Sequence, residues 1–160
     1  MSVCAGPAGG IPAGWTLVRT ADGSWTALEP ERGRALHDLA GARTEARERF
    51  VRASGLDRAT PGARLRLLDL GTGLGHNLGA ARDAAERRGI ALEVTAFERS
   101  GAVLELAAAL PPDPQARHER FRRALFDQAA TDRAPAGRAP VDRAHLELRL
   151  GDATRSLDVL

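Results

Sequence analysis

The stretch LRLLDLGTGLGHN, from Leu65 to Asn77, decides the fold of this 160-residue chain. Its first residues form an apolar run that predicts a short buried strand. Glycines then follow at alternate positions, Gly71, Gly73 and Gly75. Because glycine has no Cβ, a loop of this kind lets a ligand approach the main chain closely. The stretch therefore predicts a strand, a bare backbone loop and a helix, the opening of an α/β unit.

The residues around the glycines restrict the ligand. Asp69 stands at the strand tip, where a carboxylate repels a phosphate and attracts an ammonium or hydroxyl group. His76 stands where the dinucleotide pattern G-x-G-x-x-G needs its third glycine. A P-loop needs a lysine, and all 23 basic residues of the chain are arginines. The loop thus favours S-adenosylmethionine (SAM), a nucleoside with a cationic end; the alternative is an ordinary tight turn.

Two further strand tips carry acids. Ala91 to Phe97 is predicted as a strand that ends at Glu98, and an acid at the second strand tip of such a unit hydrogen-bonds ribose hydroxyls. The alternative for Glu98 is a solvated carboxylate. A third strand, His145 to Leu150, is followed by Gly151-Asp152. Asp152 is predicted to accept a hydrogen bond from the adenine amino group or to cap the helix that follows, and the two roles are compatible.

The chain divides into three predicted segments. Residues 1–13 contain almost no bulky side chain and are expected to be disordered. Residues 14–62 are predicted to form a hairpin, Trp15 to Arg19 with Trp25 to Leu28, followed by a helix that Gly55 stops. The apolar face of that helix is predicted at Leu36, Leu39, Ala42, Ala46, Phe50 and Val51. Residues 63–160 form the partial SAM-binding domain, with helices at 78–88, 101–110 and 115–130.

These motifs resemble one family, the methyltransferase part of the bifunctional tRNA 5-methylaminomethyl-2-thiouridine biosynthesis protein (MnmC) and its stand-alone relatives. The family pattern D/E-x-G-x-G-x-G-x-N is met by Asp69, Gly71, Gly73, Gly75 and Asn77. The pattern H-x-x-x-G-A-x-x-E-A-x-x-x-F, followed by Gly-Leu, is met by His37, Gly41, Ala42, Glu45, Ala46, Phe50, Gly55 and Leu56. Glu98 and Gly151-Asp152 stand at the family's remaining acidic positions. The resemblance runs from about Thr20 to the end of the chain.

The resemblance implies an α/β, Rossmann-like class I methyltransferase fold. Three parallel strands with flanking helices would be its N-terminal half, preceded by the hairpin and helix. It also implies a SAM-dependent methyltransferase that methylates an aminomethyl nitrogen on the wobble uridine of certain tRNAs. Family members continue into a fourth strand with an aspartate-glycine-phenylalanine motif, whereas this sequence ends at Leu160. We therefore expect a truncated chain, in which no catalytic residue is assigned.

The resemblance also implies a role for each site residue. Asp69 faces the methionine ammonium of SAM, the three glycines let the backbone approach SAM, and Asn77 caps or orients the loop. Glu98 holds the ribose hydroxyls and Asp152 contacts adenine. Two other functions stay open. The chain is either a non-catalytic SAM-binding remnant that needs a protein partner on its open sheet edge, or a methyltransferase for a small molecule or protein.

Composition and charge bear on which partners, metals and locations the sequence predicts. The net charge is +2 and the pI about 9.8, which by itself is weak evidence for RNA. One cluster could contact tRNA phosphates or form a solvated helix face: Arg117, His118, Arg120, Arg122 and Arg123. The single Cys4 predicts neither a disulfide nor a zinc site, and four histidines without i, i+4 pairing predict no metal. Without a signal peptide or a membrane-spanning run, the cytoplasm is expected.

Overall fold

The structure is a computed structural model that describes residues 10–113, Phe126 and 146–150. Its elements, in chain order, are β1 (Thr16–Arg19), β2 (Trp25–Leu28), α1 (Ala42–Glu45), a π-helical turn (Ala46–Val51), α2 (Arg52–Ser54), a 3-10 turn (Leu56–Arg58), β3 (Arg64–Leu70), α3 (His76–Arg87), β4 (Ala91–Glu98), α4 (Gly101–Ala108) and β5 (Leu146–Leu150). No helix among these residues is both long and apolar enough to cross a bilayer.

Some sequence predictions concern residues outside the described ranges. These are the disorder of residues 1–9, the unpaired Cys4, the arginine cluster at 117–123, most of the helix at 115–130, and the adenine contact of Asp152. They stay predictions. Phe126, within that helix, is helical and buried.

The three later strands form one sheet in the order β3-β4-β5, and both pairs are parallel. The register places Asp69 opposite Ala96, and Glu98 opposite Leu150. The carboxyl ends of the strands therefore lie side by side, at the edge where open α/β sheets bind their ligands. The α/β class predicted from the sequence is confirmed, and two of the predicted acids are brought to this edge.

Strand β3 has an uncovered face. Its residues alternate, with Leu65, Leu67 and Asp69 half-buried and the others exposed. Leu68 is 46% exposed and Leu70 is 57% exposed, although the apolar run predicts a buried strand. Because successive side chains of a strand point to opposite faces of the sheet, the alternation means that one face of β3 is little covered. Separately, β3 pairs only with β4 among the described strands, which leaves its second edge open there. Two large apolar side chains on an open strand are unusual on the surface of a soluble monomer.

The N-terminal segment forms the predicted hairpin. β1 and β2 pair antiparallel, with Arg19 opposite Trp25. The Asp22 carboxylate organises the turn: Oδ1 accepts hydrogen bonds from the Ser24 backbone at 3.0 Å and from the hydroxyls of Thr20 and Ser24. Upstream of the hairpin, Ile11 packs against the core. The prediction that residues 1–13 are disordered therefore extends too far toward the hairpin.

The helix after the hairpin begins later than predicted and changes its pitch. It starts at Ala42 instead of Leu36, and its middle, Ala46–Val51, is π-helical. A π-turn advances by about one residue more than an α-turn, so its buried residues are Ala42, Ala46 and Val51. Phe50, predicted on the buried face, is turned outward and is 48% exposed. The helix ends as predicted at Gly55, whose φ of 76° forms a left-handed cap.

One apolar core joins the hairpin segment to the sheet. The hairpin and following helix contribute Leu17, Trp25, Ala27, Ala46, Val51 and Leu56 to it. The glycine loop, α3 and β4 contribute Leu74, Leu78, Ala81, Ala85, Leu92 and Val94, among others. This core holds the N-terminal segment against the glycine loop and thereby brings its polar residues to the carboxyl edge of the sheet.

Candidate cofactor-binding site

The glycine loop, Gly71 to Gly75, is fixed onto the end of β4. The backbone N–H groups of Gly71 and Thr72 both donate to the carbonyl of Phe97, at 2.8 and 3.0 Å. Gly71, Gly73 and Gly75 have φ angles of 79°, 58° and 80°, a region that L side chains adopt only with strain. A Cβ on Gly71 would meet no atom within 4 Å. The loop is thus rigidly held and faces open space, as a ligand-binding loop requires.

Glu98 holds the loop from the tip of β4. Its side chain is only 6% exposed. One carboxylate oxygen accepts a hydrogen bond from the N–H of Gly73 and the other from the N–H of Ser100, both at 2.9 Å. The solvated carboxylate considered for Glu98 is therefore wrong. Each oxygen keeps a second lone pair, which leaves the predicted contact with ribose hydroxyls chemically open.

Asp69 lies behind the same loop with an unused acceptor. Its Oδ2 is buried and has no hydrogen-bond partner in the described part of the chain. Burial raises the pKa of Asp69; a hydrogen bond with the Thr72 side chain lowers it, the charge of Glu98 raises it, and the net shift is upward. Burial disfavours the charged form of this carboxylate, so a ligand that is cationic or donates a hydrogen bond would stabilise it.

Asn77, in the first turn of α3, carries a second unused acceptor. Its Oδ1 is buried and unpartnered among the described residues. No side chain caps the start of α3, whose N-cap residue is Gly75. The capping role predicted for Asn77 is therefore not observed, and its buried oxygen has no partner among the described residues.

A residue of the hairpin segment also reaches the glycine loop. A Cβ built on Gly73 would lie 4.0 Å from Nε2 of His37. Nδ1 of the same ring lies 3.3 Å from Oε2 of Glu45, and the ring meets that of His76 edge-on at 5.0 Å. Sequence spacing alone missed this arrangement, because the two histidines are far apart in the chain. The family pattern that contains His37 and Glu45 was the signal that could have found it.

The groups found around the loop are suited to SAM. Those without a partner are acceptors, while the ammonium and ribose hydroxyls of SAM are donors. The bare glycines leave room for a ligand against the backbone, and the two carboxylates disfavour a phosphate there. Asp69, Asn77, Glu98 and the three glycines lie in or beside the glycine loop, and their contact with a cofactor stays a prediction. No group of three or more metal-ligating side chains occurs within the described ranges.

An Asp69→Asn variant separates stability from binding. A raised folded-state pKa means that the stability from Asp69 is present below its unfolded pKa and is lost as pH rises through the folded value. At neutral pH the neutral amide is therefore expected to raise Tm by about 2–4 °C, and to lower SAM affinity about tenfold. Thermal melts and calorimetric titration check the two effects.

The matched control for that variant is Asp83→Asn, which removes an i, i+4 ion pair with Arg87 on α3. It is expected to change Tm and SAM affinity little, because such surface pairs contribute about 0.3–0.5 kcal/mol. A lower Tm for Asp69→Asn than for the unmodified chain would contradict the electrostatic reading of Asp69.

The fold is similar to a solved structure, the crystal structure of MnmC2 from Aquifex aeolicus. The two match with a TM-score of 0.67 and 26% sequence identity, over 93% of this chain and 47% of that chain. This chain thus spans about half the length of that relative. No protein-family model and no curated sequence matches the chain. The resemblance to the MnmC methyltransferase part, first drawn from sequence patterns, is confirmed by this structural likeness.

Proposed function

We propose that the chain is the SAM-binding part of an MnmC-like methyltransferase. The observation that carries the proposal is the glycine loop at the carboxyl edge of the sheet, with the unpartnered oxygens of Asp69 and Asn77 beside it. The likeness to MnmC2, at 26% identity over 93% of the chain, supports the same family.

In this proposal the chain binds and orients the methyl donor. When bound, SAM would supply its sulfonium methyl group: a neutral amine would attack the methyl carbon in line, the carbon–sulfur bond would break to release S-adenosylhomocysteine, and the methylated amine would then lose a proton. Asp69 takes the ammonium side, and the glycine loop contacts the ligand through its backbone. Glu98 accepts hydrogen bonds from the ribose hydroxyls in addition to those it accepts from the N–H groups of Gly73 and Ser100. Asp152 contacts adenine. Holding a donor in a fixed position contributes much of the rate in such reactions.

The proposed methyl acceptor is an aminomethyl nitrogen on the wobble uridine of tRNA, and the proposed location is the cytoplasm. The support is the resemblance at His37 to Leu56, which a general class I enzyme does not share. If tRNA binds through phosphates, its affinity falls steeply with salt. Weak binding that is insensitive to salt would instead favour an enzyme for a small molecule or protein.

We further propose that a polypeptide covers the open edge of β3 and supplies the remaining strands of an MnmC2-like fold. Two observations support it. Leu68 and Leu70 are exposed on that strand, and the chain corresponds to 47% of the length of MnmC2. Because the two leucines are already about half buried, covering the rest of each would contribute about 1 kcal/mol. A chain that binds SAM only with such a partner would be the non-catalytic alternative.

Calorimetric titration of the purified chain with SAM, with NADH as the control ligand, tests the proposed function. We expect saturable binding of SAM and none of NADH, since the two carboxylates at the loop disfavour a pyrophosphate. A folded chain, verified by circular dichroism, that binds neither ligand would refute the cofactor assignment. A chain that is unfolded alone, and binds SAM only with the partner, would favour the non-catalytic alternative.

A further inference from the structure

We propose that His37, oriented by Glu45, accepts a hydrogen bond from the ammonium group of the ligand bound on the glycine loop. The inference rests on the proposed function, because SAM carries such an ammonium on its amino-acid part. It adds to the site a residue of the N-terminal segment, and it gives that segment a direct part in ligand binding.

The position of His37 is the first support. Its side chain is only 9% exposed, and its Nε2 would lie 4.0 Å from a Cβ on Gly73. It therefore stands over the middle of the glycine loop, on the side where glycine leaves space. No protein donor or acceptor pairs with Nε2 in the part of the chain that the structure describes.

The tautomer of His37 is the second support. The carboxylate of Glu45 can only accept, so in the neutral ring the proton sits on Nδ1 and is donated to Oε2 at 3.3 Å. Nε2 then carries the lone pair. Burial lowers the pKa of His37, while the charge and the hydrogen bond of Glu45 raise it, and the net shift is downward. The neutral ring, with an acceptor facing the loop, is the favoured form at neutral pH.

Glu45 is itself fixed in place, which makes it a positioning residue. Its Oε2 also accepts the N–H of Asp38 at 2.9 Å, and its Oε1 accepts from Arg49 at 3.2 Å. The backbone of His37 donates to the hydroxyl of Thr26 at 3.1 Å. The ring packs edge-on against His76, whose Nε2–H donates to the carbonyl of Trp25 at 2.7 Å. The imidazole is thus held from both sides before any ligand binds.

The number of free acceptors fits an ammonium. An ammonium has three N–H groups to donate. Asp69 Oδ2 and Asn77 Oδ1 are buried acceptors without a partner among the described residues, and the hydrogen bonds described for His37 involve Nδ1 and the backbone N–H, not Nε2. Asp69 provides charge, and the other two provide neutral acceptors. A carboxylate or phosphate group would meet the wrong polarity at each of them.

Titrations of His37 variants with two ligands test the proposal. The probes are SAM and 5′-methylthioadenosine, a neutral thioether that keeps the adenosine and the sulfur but lacks the amino-acid part with its ammonium and carboxylate. His37→Phe keeps a ring against His76 and removes the acceptor. It is expected to weaken SAM binding about tenfold or more, the loss of one hydrogen bond to a charged group, and to leave the affinity for 5′-methylthioadenosine unchanged. His37→Gln, which restores an acceptor oxygen, should recover part of the SAM affinity.

Four outcomes would overturn the proposal or the function on which it rests. Equal SAM affinities for His37→Phe and the unmodified chain would overturn the proposal. A parallel loss of SAM and 5′-methylthioadenosine would also overturn it, since that pattern indicates a structural role. If the unmodified chain binds 5′-methylthioadenosine but not SAM, the ammonium contact fails, and if it binds neither, the proposed function fails and this inference with it.

Nitrogen NMR of the His37 ring gives a readout that does not depend on ligand affinity. We expect the proton on Nδ1 in the free chain and a shift of the Nε2 resonance when SAM is added. Glu45→Gln should weaken this tautomer preference, whereas Arg49→Gln, which alters only the other oxygen of Glu45, should preserve it. A proton on Nε2 in the free chain would remove the acceptor and overturn the proposal.

Discussion

Asp22→Asn is expected to lower Tm by about 4–16 °C, the shift that a loss of about 2–4 kcal/mol gives for a chain of this length. The carboxylate of Asp22 joins two segments. Beyond the turn of the hairpin, its Oδ2 accepts from the backbone and hydroxyl of Thr44, at 2.9 and 2.8 Å. An amide replaces one acceptor oxygen by a donor, so several of these hydrogen bonds are lost together. Differential scanning calorimetry at neutral pH measures the change.

The effect of Asp22→Asn depends on pH in a defined direction. Burial raises the pKa of Asp22, but hydrogen bonds from Ser24 and Thr44 outweigh it and hold the pKa well below the ordinary value of 3.8. The unfolded chain therefore binds a proton first as pH falls. The stability from Asp22 is present above about pH 4 and is lost below it. The difference in Tm between the two proteins should shrink as the pH is lowered through this range.

Asp38→Asn is the matched control for Asp22, because it makes the same chemical change at an exposed carboxylate. The structure gives Asp38 one side-chain hydrogen bond, from the N–H of Ala40 at 2.9 Å. A Tm shift of equal size in both variants would contradict the role assigned to Asp22. A closely packed glycine supports that role: a Cβ on Gly41 would lie 2.5 Å from Oδ2 of Asp22, which explains why the pattern has glycine there.

Glu98→Gln is expected to reduce both stability and SAM affinity. One carboxylate oxygen holds Gly73 and the other holds Ser100, and glutamine can satisfy only one of these N–H groups. The other N–H group then faces the NH₂ donor of the glutamine in a buried position. This costs about 1–3 kcal/mol, or about 2–12 °C in Tm. The loop around Gly73 loses its fixed conformation, so we expect SAM affinity to fall about tenfold or more. Calorimetric melting and titration measure the two effects.

Glu93→Gln provides the comparison for Glu98 on the same strand. Glu93 is exposed and lies away from the carboxyl edge of β4. It is expected to change Tm and SAM affinity within about 0.5 kcal/mol, the usual range for a surface substitution. If Glu98→Gln behaves like Glu93→Gln, Glu98 neither anchors the glycine loop nor binds the ligand. A lower Tm with unchanged SAM affinity would restrict Glu98 to the anchoring role.

Local patterns predicted the elements that local physics determines. The hairpin at Asp22-Gly23 and the turn at Gly71 to Gly75 follow from backbone preferences, and β4 from an apolar, β-branched run. The predicted helix start at Leu36 was wrong because Leu36 fits the α-helical spacing of apolar residues in the sequence. In the structure the backbone N–H of Leu36 donates to the carbonyl of Ala27, so this residue extends the hairpin region, and the π-turn at Ala46–Val51 then changes the period.

Non-local contacts explain the rest of what the sequence did not predict. Nothing near Glu98 in sequence indicates that its carboxylate holds Gly73, and nothing near His37 indicates that its ring stands over the same glycine. Both depend on the packing of separate segments. The exposure of Leu68 and Leu70 is of the same kind, because an apolar run indicates a strand but not what covers each of its faces.

The bond between His76 and the carbonyl of Trp25 connects residues 51 positions apart. On the ribosome the hairpin therefore emerges well before the helix on which it packs. At about 5–20 residues per second, that interval is about 3–10 s. During it, Leu17 and Trp25 cannot pack against the core residues of α3 and β4. A ribosome-associated chaperone would meet the hairpin before α3 emerges, whereas refolding from denaturant makes both segments available at once.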